Sequence, residues 1–561
     1  MKKTIFSYTI CFIIVSCNSS KPIDDYRFES NSLITIKEYT DQDITNLFIL
    51  CKTWGFMRYY HPKIVQGEQN WDYELFRVMP SILDIKSVKQ RNRVLNHWLK
   101  EQGKVRPETT VPIKGKERSI PDFRWFEEAN LGQAAKRLTE IKNGKKDFYP
   151  TQDSILLVEK ILRKDEIYAE LPALPDVGFR LLVLFRYWNI IEYFSPHKDI
   201  IGQDWDKILL AAIPKFIEVD NENDYRLLLL ELVASINDGH AKIHGDIIDR
   251  QLGRNQIPVR ISFIEEKAIV IEKYGIDPSF ETGKSLNIGD IIIAVNDIPI
   301  DSIIVRQTPY TSASNYPAKL RDIARNLLRT KDSRLKITYD RNNIVQSDSF
   351  ATYNQLNLFS LSNTSLYSQL TKDHAYIYMG GRKDDQTPRD IDAKGIIIDL
   401  RCYPNEESIK YMDSLPLYSD SVSCAMFAVP VLPGVFIFRD NIPTTKIGAE
   451  NLNYFKGKKV ILVDIETQSW AEFMAMSYRC APNSIIIGSP SAGANGDILP
   501  IILPGAIRTM ITGLGVYLPN GRGVQRTGII PDIEVKQTIK GVRNGRDELI
   551  EEAIKIIDES W

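Results

Sequence analysis

Histidine is scarce in this chain. Six occur among 561 residues, so any reaction that needs an imidazole has a short list to draw on. Cysteine is equally sparse. Cys11, Cys17, Cys51, Cys402, Cys424 and Cys480 form no Cys-x-x-Cys pair and no ligand spacing with histidine, which excludes the usual structural zinc site. An excess of charge is missing too. With 71 basic and 72 acidic side chains the formal charge is −1, and no global field draws the chain to nucleic acid or to an anionic membrane. Glycine (31) and proline (28) stay at ordinary levels, which sets aside collagen-like and low-complexity architectures. What is present is apolar material, 43% of the residues, enough for several cores. The length predicts three or four domains at roughly 150 residues each.

The first segment reads as an address. Lys2 and Lys3 precede an apolar run, Ile5 to Val15, that ends in Ser16-Cys17-Asn18. A basic start, a short apolar core and a small residue before the cut predict an export signal over 1–16. The run is shorter than the roughly 20 residues a spanning helix needs, and no later run approaches that length. Ile14-Val15-Ser16-Cys17 also resembles the bacterial lipobox, which implies lipidation at Cys17, a polar tether over 17–42 and a place in the cell envelope, periplasm-facing or at the surface.

A duplication follows within 43–220. Leu47, Leu50, Trp54, Tyr59, Tyr60, Pro62, Trp71, Asp72, Leu75 and Pro80 reappear 134 positions later as Leu181, Leu184, Trp188, Tyr193, Phe194, Pro196, Trp205, Asp206, Leu209 and Pro214. Each copy predicts a helix, a proline-containing turn and a second helix. The aromatics suit packing between those helices. The alternative is a carbohydrate-stacking surface. After the duplicated stretch the copies part: the second runs into Asn237-Asp238-Gly239-His240, and the first has Arg106 at the matching offset.

From 257 to 345 the pattern turns to strands. Gly289-Asp290 leads into Ile291–Val295, and an Asn296-Asp297 turn follows. With a helix expected over Ala318–Leu328 and a strand over Arg334–Tyr339, this segment resembles a PDZ domain. The resemblance implies recognition of a peptide by strand addition. The remainder, 346–561 together with 221–256, predicts an α/β unit. Lys394–Asp399, Lys459–Asp464 and Ser484–Gly488 are short continuous apolar runs of the kind found in buried parallel strands. Helices are expected at Trp470–Arg479 and Asp547–Asp558.

One serine stands where such a strand gives way to a helix. In Thr467-Gln468-Ser469-Trp470-Ala471-Glu472 a hydroxyl at Ser469 could attack a carbonyl while nearby N–H groups and the helix dipole stabilise the oxyanion. Ser469 and Glu472 also have the spacing of a capping box, and a cap and a nucleophile are compatible. A serine nucleophile needs a base. Of the histidines, His61 and His197 sit in the duplicated turns, His97 in a helix and His374 in a charged turn. His240 follows Asn-Asp-Gly and precedes an expected strand, Ala241–His244, so that turn could project its ring into a cleft.

Four segments together resemble the tail-specific, or C-terminal-processing, serine peptidase family. They are Asp238-Gly239-His240; Asp399-Leu400-Arg401; Thr467–Glu472 with Gly488–Gly496; and Pro519–Asp532. The resemblance implies an α/β peptidase domain of the ClpP/crotonase-like type, a PDZ-like insert and Ser469 as nucleophile. Many members use a lysine base, but Ala494 stands at that place, so His240 becomes the base, as in the tricorn-like branch. The family's oxyanion segment has lost both glycines in Arg401-Cys402-Tyr403-Pro404-Asn405-Glu406. The N–H of Trp470 is then one oxyanion donor and Asn405 the candidate for the other, since Pro404 has no N–H. Asp238 and Gln525 are the candidates for orienting His240. No metal or cofactor is called for.

The sequence thus predicts an α/β multidomain protein with a helical, duplicated front, a PDZ-like β-rich insert and a peptidase unit. The function it predicts is exported endopeptidase action on polypeptides, with the polypeptide C-terminus as a candidate feature and no nucleic-acid partner. The alternative is a ligand- or peptide-binding lipoprotein on the same scaffold.

Overall fold

The computed structural model describes residues 27–83, 85–107, 115–146, 154–278, 284–361, 364–385, 387–439 and 446–559. The signal segment and Cys17 lie outside the described residues.

The front region is built on two helix pairs, Asp41–Tyr60 with Trp71–Leu83, and Val177–Phe194 with Trp205–Glu218. The long helix of each pair is buried around nearly its whole circumference, as expected where apolar residues show no one-sided stripe. Within each copy the two tryptophans bond reciprocally. Trp54 Nε1 donates to the Trp71 carbonyl at 3.0 Å and Trp71 Nε1 to the Trp54 carbonyl at 2.9 Å. Trp188 and Trp205 repeat the exchange at 2.8 and 3.1 Å. All four rings are buried, so they serve packing and offer no face to a sugar.

The copies are also related to each other by an approximate twofold. Lys52 and Arg186 are equivalent positions, as are Asp72 and Asp206. Lys52 pairs with Asp206 at 2.7 Å, and Arg186 pairs with Asp72, so the cation of each copy meets the acid of the other. Gly55 and Asn189, again equivalent, touch where the long helices cross, and a Cβ on Gly55 would overlap the Asn189 side chain.

The β-rich insert has strands Val259–Ile264, Lys267–Ile276, Ile291–Val295, Arg334–Arg341, Ile344–Ala351 and Leu358–Ser360. The order across the sheet is 358–360, 267–276, 291–295, 334–341, 344–351, with 259–264 paired to 267–276. Gly289, Asn296 and Asp297 all have positive φ, which supplies the two turns that the sequence predicts on either side of the strand 291–295. The helix Tyr316–Asn326, capped by Asn315, lies against strand 259–264.

The α/β unit is a six-stranded sheet in the order 367–371, 374–378, 395–399, 458–463, 484–488, 533–534. It is parallel except at its first pair. Ile396–Ile398 and Val460–Val463 are covered on both faces, which accounts for the unbroken apolar runs. Helix Glu548–Glu559 packs Leu549, Ala553 and Ile557 on one face, and helix Trp470–Arg479 lies on the other.

The core of the front region does not stop at residue 220. A hairpin of the α/β unit, Ile498–Leu503 with Ile507–Thr512, contributes Leu499, Ile501, Leu503 and Ile511 to it. In return, strand Lys116–Ser119 of the front pairs antiparallel with Val435–Arg439. The expected strand Ala241–His244 is replaced by a single bridge, His244 N–H to the Arg508 carbonyl at 2.8 Å. Among the described residues no helix is long and apolar enough to cross a membrane.

Candidate active site

Strand Lys458–Val463 is buried, and the chain must turn sharply at its end to enter helix Trp470–Arg479. The turn is fixed from inside. Thr467, fully buried, donates its hydroxyl to the Leu400 carbonyl at 2.8 Å. Ser469 adopts φ 58° and ψ −118°, a conformation that side-chain-bearing residues rarely hold without a surrounding structure that enforces it. Here the enforcement is visible. Its N–H is held by the Ala494 carbonyl at 2.9 Å and by Glu472 Oε2 at 3.0 Å. Glu472 is fully buried and accepts further bonds from Ser491 Oγ, Gly493 N–H and Ala494 N–H. Burial pushes its carboxyl above the usual range, and the four hydrogen bonds oppose that shift. The Ser469/Glu472 capping box is present and the serine still lines a cleft, so cap and exposed hydroxyl coexist.

That cleft measures about 780 Å³, and His240 lines it together with Ser469. His240 is buried, as is Asp238, two residues before it. The two are not joined directly; Oδ1 of Asp238 is 3.8 Å from Nδ1 of His240. Thr512, at the end of strand Ile507–Thr512, stands between them. Its Oγ1 is 2.8 Å from His240 Nδ1 and 2.8 Å from Asp238 Oδ1, and its N–H reaches Asp238 Oδ2 at 2.6 Å.

Donor arithmetic fixes the tautomer. A carboxylate only accepts, so the single Thr512 hydroxyl proton goes to Asp238. Thr512 Oγ1 must then accept from His240, which places the ring proton on Nδ1. Nε2 is left with its lone pair free, and among the described residues it has no hydrogen-bond partner. Burial lowers the His240 pKa and outweighs the raising effect of Asp238, which favours the neutral ring, the form that can accept a proton.

Sequence reasoning missed Thr512. A threonine at the end of an amphipathic strand carries no distinguishing signal, and its relation to His240 spans 272 residues of chain. Asp238 does support the imidazole, through that hydroxyl. Gln525 contacts Asp238 Oδ1 with its amide at 3.2 Å, so it bears on the carboxylate and not on His240.

The oxyanion donors divide. Trp470 begins the helix, and its N–H donates to no group among the described residues. Asn405 is excluded. It caps helix Glu406–Ser414, its N–H is committed to the Met379 carbonyl at 3.1 Å, and its side chain is held by Gly381 and Ser408. With Pro404 lacking an N–H, the loop is left with Cys402 and Tyr403, both of which line the cleft.

Ala494 offers no titratable side chain to the site. A Cβ built on Gly239 would lie 2.9 Å from the Ala494 Cβ, so the histidine loop occupies the space beside residue 494.

Parts of the chain are similar to known proteins. Residues 417–535 match the model described as peptidase family S41. Among solved structures, mature CPAF complexed with lactacystin aligns with a TM-score of 0.51 at 11% identity, over 68% of this chain and 97% of that one. Mature CPAF alone gives 0.50 at 12% identity, over 68% and 96%. The photosystem II D1 C-terminal processing protease aligns at 12% identity over 64% and 93%, with a TM-score of 0.36. No curated protein matches the chain.

Proposed function

We propose that this chain is a serine-type peptidase that cleaves polypeptides through an acyl-enzyme on Ser469 with His240 as general base, a reading supported by the match of residues 417–535 to peptidase family S41. The observation that carries the reading is the proton order Asp238–Thr512–His240, which leaves Nε2 unprotonated on a ring that lines the same cleft as Ser469. Ser469 Oγ attacks the scissile carbonyl as its proton passes to Nε2. The oxyanion is met by the Trp470 N–H and by an N–H of Cys402 or Tyr403, each such donor being worth about 10²–10³ in rate. His240 returns the proton to the leaving amine, and a water then takes the same route to hydrolyse the ester.

The insert supports recognition of a polypeptide end. Among the described residues strand 259–264 pairs only with 267–276. Its other edge borders a groove of about 350 Å³ lined by Val259, Ile261, Ala324 and Leu328. The basic start, apolar run and Cys17 support export and a lipid anchor in the cell envelope. Incorporation of labelled fatty acid that is lost in Cys17→Ala would test the anchor.

Ser469→Ala should abolish both turnover of unfolded polypeptides and labelling by a serine-directed phosphonate, with the circular dichroism unchanged. Equal labelling of wild type and variant would overturn the assignment. A tightly co-purifying ligand with no turnover would favour a binding protein on the same scaffold.

A further inference from the structure

Chemistry at Ser469 gives the helical front region no task, yet one of its turns touches both the segment that carries Asp238 and His240 and the one that carries Gln525. Asn237, which precedes Asp238, has φ 50°, and Arg526, which follows Gln525, has φ 68°. Neither is glycine, and a non-glycine residue keeps such a backbone when its surroundings hold it. The turn 197–202 holds both. Asn237 Nδ2 donates to the Ile201 carbonyl at 2.9 Å, and Arg526 Nη1 donates to the Ile200 carbonyl at 2.5 Å. The turn closes tightly on the guanidinium, since a Cβ on Gly202 would lie 2.7 Å from Nη1.

Arg526 reaches further. Its N–H bonds the Gly493 carbonyl at 2.8 Å, next to Ala494, whose own carbonyl holds Ser469 N–H. Its Nε reaches the Ser314 carbonyl of the insert at 3.3 Å, and Ser314 Oγ accepts the Gly239 N–H at 2.8 Å. From the same turn His197 sits buried, with both ring nitrogens unpartnered among the described residues and within electrostatic reach of Asp238 and His240.

We infer that Arg526 and Asn237 are positioning residues through which the helical front region keeps the Asp238–Thr512–His240 relay in register with Ser469. This rests on the roles given to Ser469 and His240 above. A misplacement of about 1 Å at such a site lowers turnover by roughly a hundredfold, and that is the size of effect expected from losing the arginine.

The test compares wild type with Arg526→Ala, Arg526→Lys and Asn237→Gly in the full chain. Asn237→Gly tolerates the positive φ and removes only the amide bond to Ile201, so it guards against a variant that fails to fold. Phosphonate titration counts competent sites, and kcat is expressed per titrated site. Arg526→Ala should lower kcat about a hundredfold with KM within about threefold, and Arg526→Lys, which lacks the fork that reaches two carbonyls, should fall between.

The pH profile separates positioning from plain support. The groups facing His240 are Asp238, Lys242 and Asp497, with His197 behind. Asp238 favours the protonated ring, so loosening it should move the acid limb of kcat/KM to lower pH. Unchanged kcat per site and an unmoved acid limb in both Arg526→Ala and Asn237→Gly would overturn the inference. Failure of the wild type to label at Ser469 would overturn the underlying reading instead, and this inference with it.

Discussion

At the level of single residues, the site depends on who holds which proton. Thr512→Val keeps the shape and removes the one group that both accepts from His240 Nδ1 and donates to Asp238. The imidazole would lose its fixed tautomer, and kcat should fall by about 10²–10⁴ with the fold retained, as steady-state kinetics would show. Glu472→Gln leaves an amide facing four donors and should destabilise the chain by about 1–3 kcal/mol in denaturant titration. Ser469 and His240 were legible as candidates through the resemblance of Thr467–Glu472 and Asp238-Gly239-His240 to a peptidase family, since spacing alone reads Ser469 as a cap. Thr512 was not, because its significance comes from a contact made 272 residues away. Asn405 misled because a polar residue before a helix is as well used by its cap as by chemistry.

At the level of elements, short apolar runs and caps carried most of the information. The strands at 395–399, 458–463 and 484–488 and the helix Trp470–Arg479 follow directly from their patterns, since burial on both faces leaves little choice of residue. Ala241–His244 failed as a strand because the hairpin it meets offers only Arg508 as a partner. The contact of Gly239 with Ala494 also sets a limit on redesign. Ala494→Lys should not restore turnover to His240→Ala, because the lysine would have to displace the histidine loop. Measurable peptidase activity in that double variant would contradict this packing.

At the level of the molecule, the sequence separated front, insert and α/β unit, and the structure joins the front and the α/β unit through a common core while the insert keeps its own. Periodicity reports which face of an element is buried but not against which distant element it lies, so the hairpin 498–512 in the front's core was not legible. A chain lacking residues 27–220 should therefore expose Leu499, Ile501 and Ile511 and fail to give a native near-ultraviolet spectrum. Acid should act on the front as well. Burial lowers His61 and His197 to about 4, so the folded imidazoles stay neutral while unfolded ones take up protons near 6.5. Between those values the unfolded state binds more protons, and stability should fall as pH is lowered through the window. Denaturation midpoints from pH 7 to pH 4 would read it, and His61→Phe should flatten the slope.

The crossed ion pairs of the front have a consequence of another kind. Lys52 with Asp206 and Arg186 with Asp72 form the contacts that two identical subunits would make across a dyad, here written on one chain. Joining the halves turns an association into an intramolecular event, so the pairing does not weaken on dilution. It also frees the halves from identity. One half could then acquire Asp238 and His240 while the other kept only its share of the pairing, and a true homodimer could not divide the work in that way.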